Sequence, residues 1–210
     1  MKKILTKYPI LYIGILLLSC NSTNKVTSYN SSNQTIDKNL STATYSEFDL
    51  AQYKNQLSKQ MNEVINVSDV DMETGSPEGL LGNFICDLSL FTCNSILNIP
   101  SDFCILNNGG LRTSLPKGEI TKGKIFEIMP FDNELVVLEL NSEQMIDLIN
   151  YIKEKSLISH SRKAGVPVSG IRISIVGSKI SRVFVGIKEF DKEKTYRVVT
   201  TDYLAKGGDE

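Results

Sequence analysis

Histidine is almost missing: the 210 residues hold one, His160, in a polar Ser-His-Ser-Arg stretch. A two-metal phosphoesterase needs clustered His, Asp and Asn side chains, because they hold the ions that activate water and stabilise the leaving oxygen. No such spaced series is present, so the chain is read as having no metal centre and no catalytic residues of its own. Excess charge of one sign is missing too. Its 23 Lys+Arg against 24 Asp+Glu leave a formal charge of −1, and the two signs are interspersed. That leaves no electrostatic footprint for nucleic acid. A glycine-rich phosphate loop ending in Gly-Lys-Ser or Gly-Lys-Thr is absent, and Lys122-Gly123-Lys124 does not supply one. Ser142 and Ser169 have no His-Asp pair that the sequence nominates, which argues against a serine hydrolase. Asp69 and Asp71 lie in a polar connection and read as solvated carboxylates, not as a glycoside-cleaving pair. No internal repeat is visible.

Cysteine is scarce, with four residues, and its placement is informative. Lys2, Lys3 and Lys7 make a positive start, and Ile10 to Leu18 is an apolar run without charge. That run is short for a mature membrane span, so residues 1–19 read as a signal peptide. The run ends in Leu17-Leu18-Ser19-Cys20, which resembles a bacterial lipobox. The resemblance implies that Cys20 becomes the lipidated first residue and that the protein is tethered to a membrane of the cell envelope through its acyl chains. An ordinary secretory peptide with a chance cysteine is the alternative. Cys86, Cys93 and Cys104 remain. Three thiols cannot all pair in an oxidising compartment, and they read as buried small hydrophobes.

Residues 20–45 are mostly Asn, Ser, Thr and Lys, with too little apolar surface to offset the entropy of ordering. They are expected to be a flexible tether. The folded domain is placed at 46–210. Tyr53, Leu57, Met61 and Val64 recur at helical spacing. A second helix is expected from about Leu80 to Leu97, with Leu81, Phe84, Ile85, Leu88 and Phe91 as a broad apolar face and Glu78 capping its start. Phe103 to Leu106 reads as a buried strand that ends in the turn Asn107-Asn108-Gly109-Gly110. Ile125 to Met129 is a short helix stopped by Pro130. Leu135 to Leu140 is a strand, followed by a capping-box start at Asn141 and Gln144. The helix it opens places Met145, Leu148, Ile149 and Ile152 on one face. Alternation at Ile171, Ile173 and Ile175, then Val183 and Val185, gives two strands joined through Gly177-Ser178, and Tyr196 to Thr201 gives a last strand. Helices and strands mix without regular alternation, so an α+β domain of mixed layers is expected.

Leu106-Asn107-Asn108-Gly109-Gly110-Leu111-Arg112 is the most informative stretch. Paired glycines after a strand let the backbone approach a ligand, and the planar fork of an arginine two residues on suits an anion. Taken alone, the window is equally a glycine turn beside a solvated arginine. Upstream stand Gly82-Asn83 and Asp87, which read as structural. Downstream come Pro130-Phe131-Asp132-Asn133, then Val168-Ser169-Gly170-Ile171-Arg172, then Thr201-Asp202-Tyr203-Leu204-Ala205-Lys206-Gly207-Gly208-Asp209. In this order, the set resembles the C-terminal domain of the 5'-nucleotidase family, over nearly all of 46–210.

The resemblance implies a fold, a ligand and a division of labour. The family domain binds a nucleotide base between two aromatic rings and presents the phosphate to a separate metallophosphatase domain. Phe131 matches one ring. Tyr203 stands where the family usually has Phe. Asn133 and Asp209 match positions that hydrogen-bond base or ribose, Asn107 and Arg112 match positions near ribose and phosphate, and Gly170 is placed close to the base. The implied partners are a nucleotide or nucleoside and a separately encoded metallophosphatase. Divalent metals are expected only in that phosphatase, and no cofactor in this chain. Two departures accompany the match. The family's arginine ahead of Glu-x-x-x-Gly-Asn is missing, since Thr74-Gly75-Ser76-Pro77-Glu78 has no basic residue. The family also continues past Asp209-Glu210, so the domain's C-terminal end is expected to be incomplete. The alternative is a non-catalytic scaffold or binding lipoprotein with a degenerate nucleotide pocket.

Overall fold

The computed structural model describes residues 27–33, 50–158 and 164–208. Residues 27–33 are exposed and have no regular secondary structure. The leader, Cys20, His160 and Asp209 lie outside the described residues, and so does most of the tether. The chain divides into two units, 1–47 and 48–210, and among the described residues every helix and strand belongs to the second.

Helix α1 (Leu50–Met61) carries Tyr53, Leu57 and Met61 as the spacing predicts. Val64 does not continue it but starts strand β1 (Val64–Ser68). This strand pairs antiparallel with β3 (Gly118–Thr121). Helix α2 (Leu80–Phe91) runs directly into one π-helical turn, Thr92–Ile96. Strand β2 (Phe103–Ile105) is buried at all three positions and is followed by a single 3₁₀ turn, Asn108–Gly110. Helix α3 (Lys122–Ile128) is capped by the Thr121 side chain, which accepts from the Lys124 amide. Strand β4 (Leu135–Leu140) leads into α4 (Ser142–Leu157), whose capping box joins Asn141 and Gln144 as the sequence suggests. Strands β5 (Val168–Ser169), β6 (Ile171–Val176), β7 (Lys179–Val185), β8 (Lys188–Glu189) and β9 (Tyr196–Thr201) follow, and a short helix, α5 (Asp202–Ala205), comes next. The mixture is α+β, as expected.

The central sheet has the order β4-β9-β2-β5. Strand β9 lies in its interior, antiparallel to β4 from Leu135↔Thr201 to Leu140↔Tyr196, and parallel to β2. An interior strand covered on both faces reads as a continuous apolar run, and Tyr196–Thr201 is buried at five of six positions. Alternation then sorts its side chains. Tyr196 and Val198 join Phe103, Met145, Ile149, Ile152, Val183 and Val185 in one core, under α4 and the β6-β7-β8 sheet. Val199 points the other way and joins Cys86, Cys93, Cys104 and Leu106 under α2. Gly177, at φ +63, makes the tight turn between β6 and β7. A third cluster of Leu81, Leu111, Leu115, Ile120 and Ile128 seats the small sheet. Phe103 is fully buried, a burial that contributes about 1.5–3 kcal/mol.

Helix α2 departs from the expected face. Leu81, Gly82, Cys86 and Ser89 are its buried residues, whereas Phe84, Leu88 and Phe91 are 39%, 49% and 56% exposed. Close approach to the β5 edge selects small side chains: a Cβ on Gly82 would stand 2.9 Å from Pro167 Cγ. The expected cap is corrected as well. Gly79 occupies the cap position without a side-chain bond, and Glu78 accepts from the Asn83 side-chain amide at 3.1 Å. Asp87 accepts from the Ser169 hydroxyl at 2.5 Å, a tie between α2 and β5 that accords with a structural role.

Candidate functional site

The site forms where β2, β4 and β9 present their ends to one region. Strand β2 ends at Ile105, and the chain turns through Asn107 into the 3₁₀ turn. Asn108 is 4% exposed and staples this turn in place. Its side-chain amide donates to Gly75 O at 3.1 Å and to Ala164 O at 2.7 Å. The turn is then held at its exit by Leu111, which is buried, and by the Arg112 amide, which donates to Ile128 O at 2.8 Å. A Cβ on Gly110 would stand 3.0 Å from Asn107 Oδ1, so a side chain there would require that amide to shift.

Phe131 and Asn133 lie in the segment between α3 and β4, and Tyr203 lies in α5, just past β9. Because β4 and β9 pair to their shared end at Leu135↔Thr201, these two segments are neighbours. Asn107, Gly109, Gly110, Arg112, Phe131, Asn133 and Tyr203 together line a cavity of about 230 Å³. Its two rings are half exposed, Phe131 at 45% and Tyr203 at 47%, so each keeps aromatic face available to solvent. The Arg112 guanidinium carbon stands 4.9 Å from the centroid of Phe131, a cation–π distance. Gly208 packs close to Tyr203: a Cβ on Gly208 would lie 2.5 Å from its ring. The Gly208 amide donates to Tyr203 O at 2.9 Å.

Of the seven ligand-binding residues nominated from sequence, five thus come together: Asn107, Arg112, Phe131, Asn133 and Tyr203. Gly170 does not line the cavity. It turns between β5 and β6 with φ +80, and a Cβ there would meet Asp102 O at 2.7 Å, so glycine is required by packing. Asp209 lies outside the described residues. Gly109 and Gly110 also line the cavity, and their signal was the paired-glycine turn. Arg172 stacks on Phe184 at 5.1 Å, away from these residues.

A larger cavity of about 420 Å³ lies between α4 and the central sheet, and it is mostly apolar, with Leu138, Leu140, Leu148, Val166, Val198 and Leu204 among its lining. Its lining also includes Asn107, Gln144, Asp147, Tyr151 and Thr200, but its surface is predominantly apolar, whereas recognition of a polar ligand needs convergent polar groups. The smaller cavity supplies two asparagines, an arginine and two rings. Among the described residues, no group of three His, Cys, Asp or Glu side chains is placed to hold a metal ion. No described helix is long and apolar enough to cross a membrane.

Comparison with known proteins gives the family. The family model described as 5'-nucleotidase, C-terminal domain, matches residues 57–210. A 5'-nucleotidase from Vibrio vulnificus is 32% identical over 109 residues, which are 52% of this chain and 19% of that protein. The trifunctional nucleotide phosphoesterase protein YfkN of Bacillus subtilis is 29% identical over 189 residues, covering 83% of this chain and 13% of its own length. Among solved structures, a 5'-nucleotidase precursor from Thermus thermophilus matches 76% of the chain with a TM-score of 0.62 and 34% identity, over 33% of that structure. The chain therefore spans about a fifth or less of the length of these two curated relatives.

Proposed function

The chain belongs to the 5'-nucleotidase family through its C-terminal domain, and from that membership we propose that it binds a nucleotide or nucleoside for hydrolysis by a separate metallophosphatase. The base stacks between Phe131 and Tyr203. Asn107 and Asn133 offer hydrogen bonds to base and ribose, Asp209 adds to that set, and Arg112 meets the phosphate. Stacking suits the task because every base has a π face, and each stacked base contributes about 1–3 kcal/mol. The observation that carries the reading is the convergence of Phe131 and Tyr203, with Arg112 and two asparagines, on one cavity. The sequence has a single histidine, so the ions that activate water belong to the partner. Lipidation at Cys20 would keep the domain at the cell envelope.

Reconstitution tests this. Purified domain added to a candidate phosphatase accelerates AMP hydrolysis above the phosphatase alone, and calorimetry detects binding of AMP or adenosine. No acceleration together with no binding removes the proposal. One observation favours a second reading, a scaffold lipoprotein with a decayed pocket. Arg112 is the only charged residue lining the cavity among the described residues, so recognition of a dianionic phosphate rests on one side chain. If Phe131→Ala and Arg112→Ala leave every ligand's affinity unchanged, the scaffold reading holds.

A further inference from the structure

The geometry points to Asp202 as the positioning residue that sets the gap between the two aromatic rings, an inference that rests on the base-binding role of Phe131 and Tyr203. The β4–β9 ladder ends at Leu135↔Thr201. One step further, the pairing is continued by a backbone bond in one direction and a side chain in the other. The Asp202 amide donates to Glu134 O at 2.9 Å, and the Glu134 amide donates back to Asp202 Oδ1 at 3.1 Å. Tyr203 is the next residue after this double bridge. Asn133 immediately precedes Glu134, and Phe131 lies three residues before it. The bridge therefore joins the two segments that carry the rings at the point nearest both.

Asp202 is itself held from the far side. Its second oxygen, Oδ2, accepts from Lys206 Nζ at 2.8 Å, four residues on in the same turn. With Thr201 Oγ1 accepting from the Leu204 amide at 3.3 Å, α5 starts from two anchored residues. Gly208 lies close to the Tyr203 ring, since a Cβ there would stand 2.5 Å from it. One carboxylate oxygen thus crosses to the Phe131 segment, and the other is bound within α5. Asn107 and Arg112 hang from the β2 turn instead, fixed by Asn108 and by the Arg112 amide. Loss of Asp202 should therefore impair stacking and spare contacts to ribose and phosphate.

The test compares wild type with Asp202→Ala, Asp202→Asn and Lys206→Met by calorimetry with adenosine, AMP and ribose 5-phosphate, and by hydrogen exchange at the Glu134 amide. Asp202→Ala speeds exchange at Glu134 and weakens adenosine and AMP on the order of tenfold, as loss of one net hydrogen bond implies. It leaves ribose 5-phosphate within about twofold. Asparagine keeps an acceptor for the Glu134 amide and restores adenosine affinity to within about threefold of wild type. Lys206→Met removes the donor to Oδ2 and keeps the bridge to Glu134, so it weakens adenosine less than Asp202→Ala does; should the alanine variant fail to fold, Asp202→Asn and Lys206→Met carry the comparison. Equal weakening of all three ligands, wild-type adenosine affinity in Asp202→Ala, or unchanged Glu134 exchange overturns the inference. If wild type binds no base at all, the proposed function fails on its own, while exchange at Glu134 still decides whether Asp202 ties the two segments.

Discussion

Replacing Phe131 with alanine is the sharpest probe of the ring pair. Phe131 is 45% exposed, so its removal leaves no closed void in the core, and stability should change by no more than about 0.5–1 kcal/mol. Binding should change much more. A base stacked on one aromatic face typically draws about 1–3 kcal/mol from it, which corresponds to roughly 5- to 150-fold in affinity. The ring also supports the Arg112 guanidinium at 4.9 Å, a contact of about 0.5–1 kcal/mol at an exposed position. AMP should therefore lose slightly more than adenosine, because the arginine that meets its phosphate loses its platform. Calorimetric titration of both ligands into wild type, Phe131→Ala, Tyr203→Ala and the double variant measures this. Two rings holding one base form a unit, so the loss in the double variant should differ from the sum of the single losses by at least about 0.5 kcal/mol. Single variants within twofold of wild type, with native thermal midpoints, would refute the stacking argument.

The same contacts set three further outcomes. Arg112→Ala should weaken AMP by about 1.5–3 kcal/mol, as loss of a charge-assisted contact implies, and adenosine by under about 1 kcal/mol; Arg112→Lys should fall between, measured by the same titrations. Asn108→Ala removes both donors to Gly75 O and Ala164 O, and should lower stability by about 1–3 kcal/mol, read from urea unfolding of the domain. The Lys206 ammonium beside Asp202, with the Glu134 amide, holds the Asp202 carboxyl below its usual range, and Asp202 holds the Lys206 ammonium above its own. The pair's stabilisation is therefore full at neutral pH, lost as pH falls through the lowered carboxyl value and lost again as pH rises through the raised ammonium value. Lys206→Met should flatten both flanks of a thermal midpoint–pH curve, and an unchanged curve would count against the pair.

Local signals in the chain carried a large part of the architecture. Strand β4 follows from a run of branched residues, α4 from an Asn-Gln capping box, and β9 from an apolar run ended by a turn, because each rests on neighbours within a few residues. What stayed hidden depends on contacts across the sheet. Hydrophobicity nominated Leu81, Phe84, Ile85, Leu88 and Phe91 as one face of α2. Leu81 is buried and Ile85 packs on the core, yet the helix approaches β5 so closely at Gly82 and Pro167 that Cys86 and Ser89 face inward while Phe84, Leu88 and Phe91 are exposed. Glu78 reads as a cap from its position, but the Asn83 side chain claims it. Gly170 obeys the same logic: the position demands glycine because Asp102 O is there, and a motif alone cannot distinguish that demand from closeness to a ligand. The ring pair was legible only through the family resemblance, since 72 positions separate Phe131 from Tyr203 and no local pattern links them.

Long-range pairing brings the distant positions together. The segments meet because β9 sits inside the sheet between β4 and β2, which brings the loop before β4, the turn after β2 and the helix after β9 to one end. Asn107, Arg112, Phe131, Asn133 and Tyr203 are thus supplied by three segment ends of a single layer. Rings and amides orient a ligand but do not activate water, for which a general base or a metal is required. Among the described residues, the polar groups lining the cavity are two asparagines, an arginine and a tyrosine hydroxyl. With the base held between the rings and the phosphate directed to Arg112, which is exposed, the reacting phosphorus would sit at the open edge of the cavity, where a partner's metal centre can reach it. A bound-state structure with the phosphate turned inward, toward Asn107 and away from Arg112, would contradict that arrangement and leave the phosphatase no access.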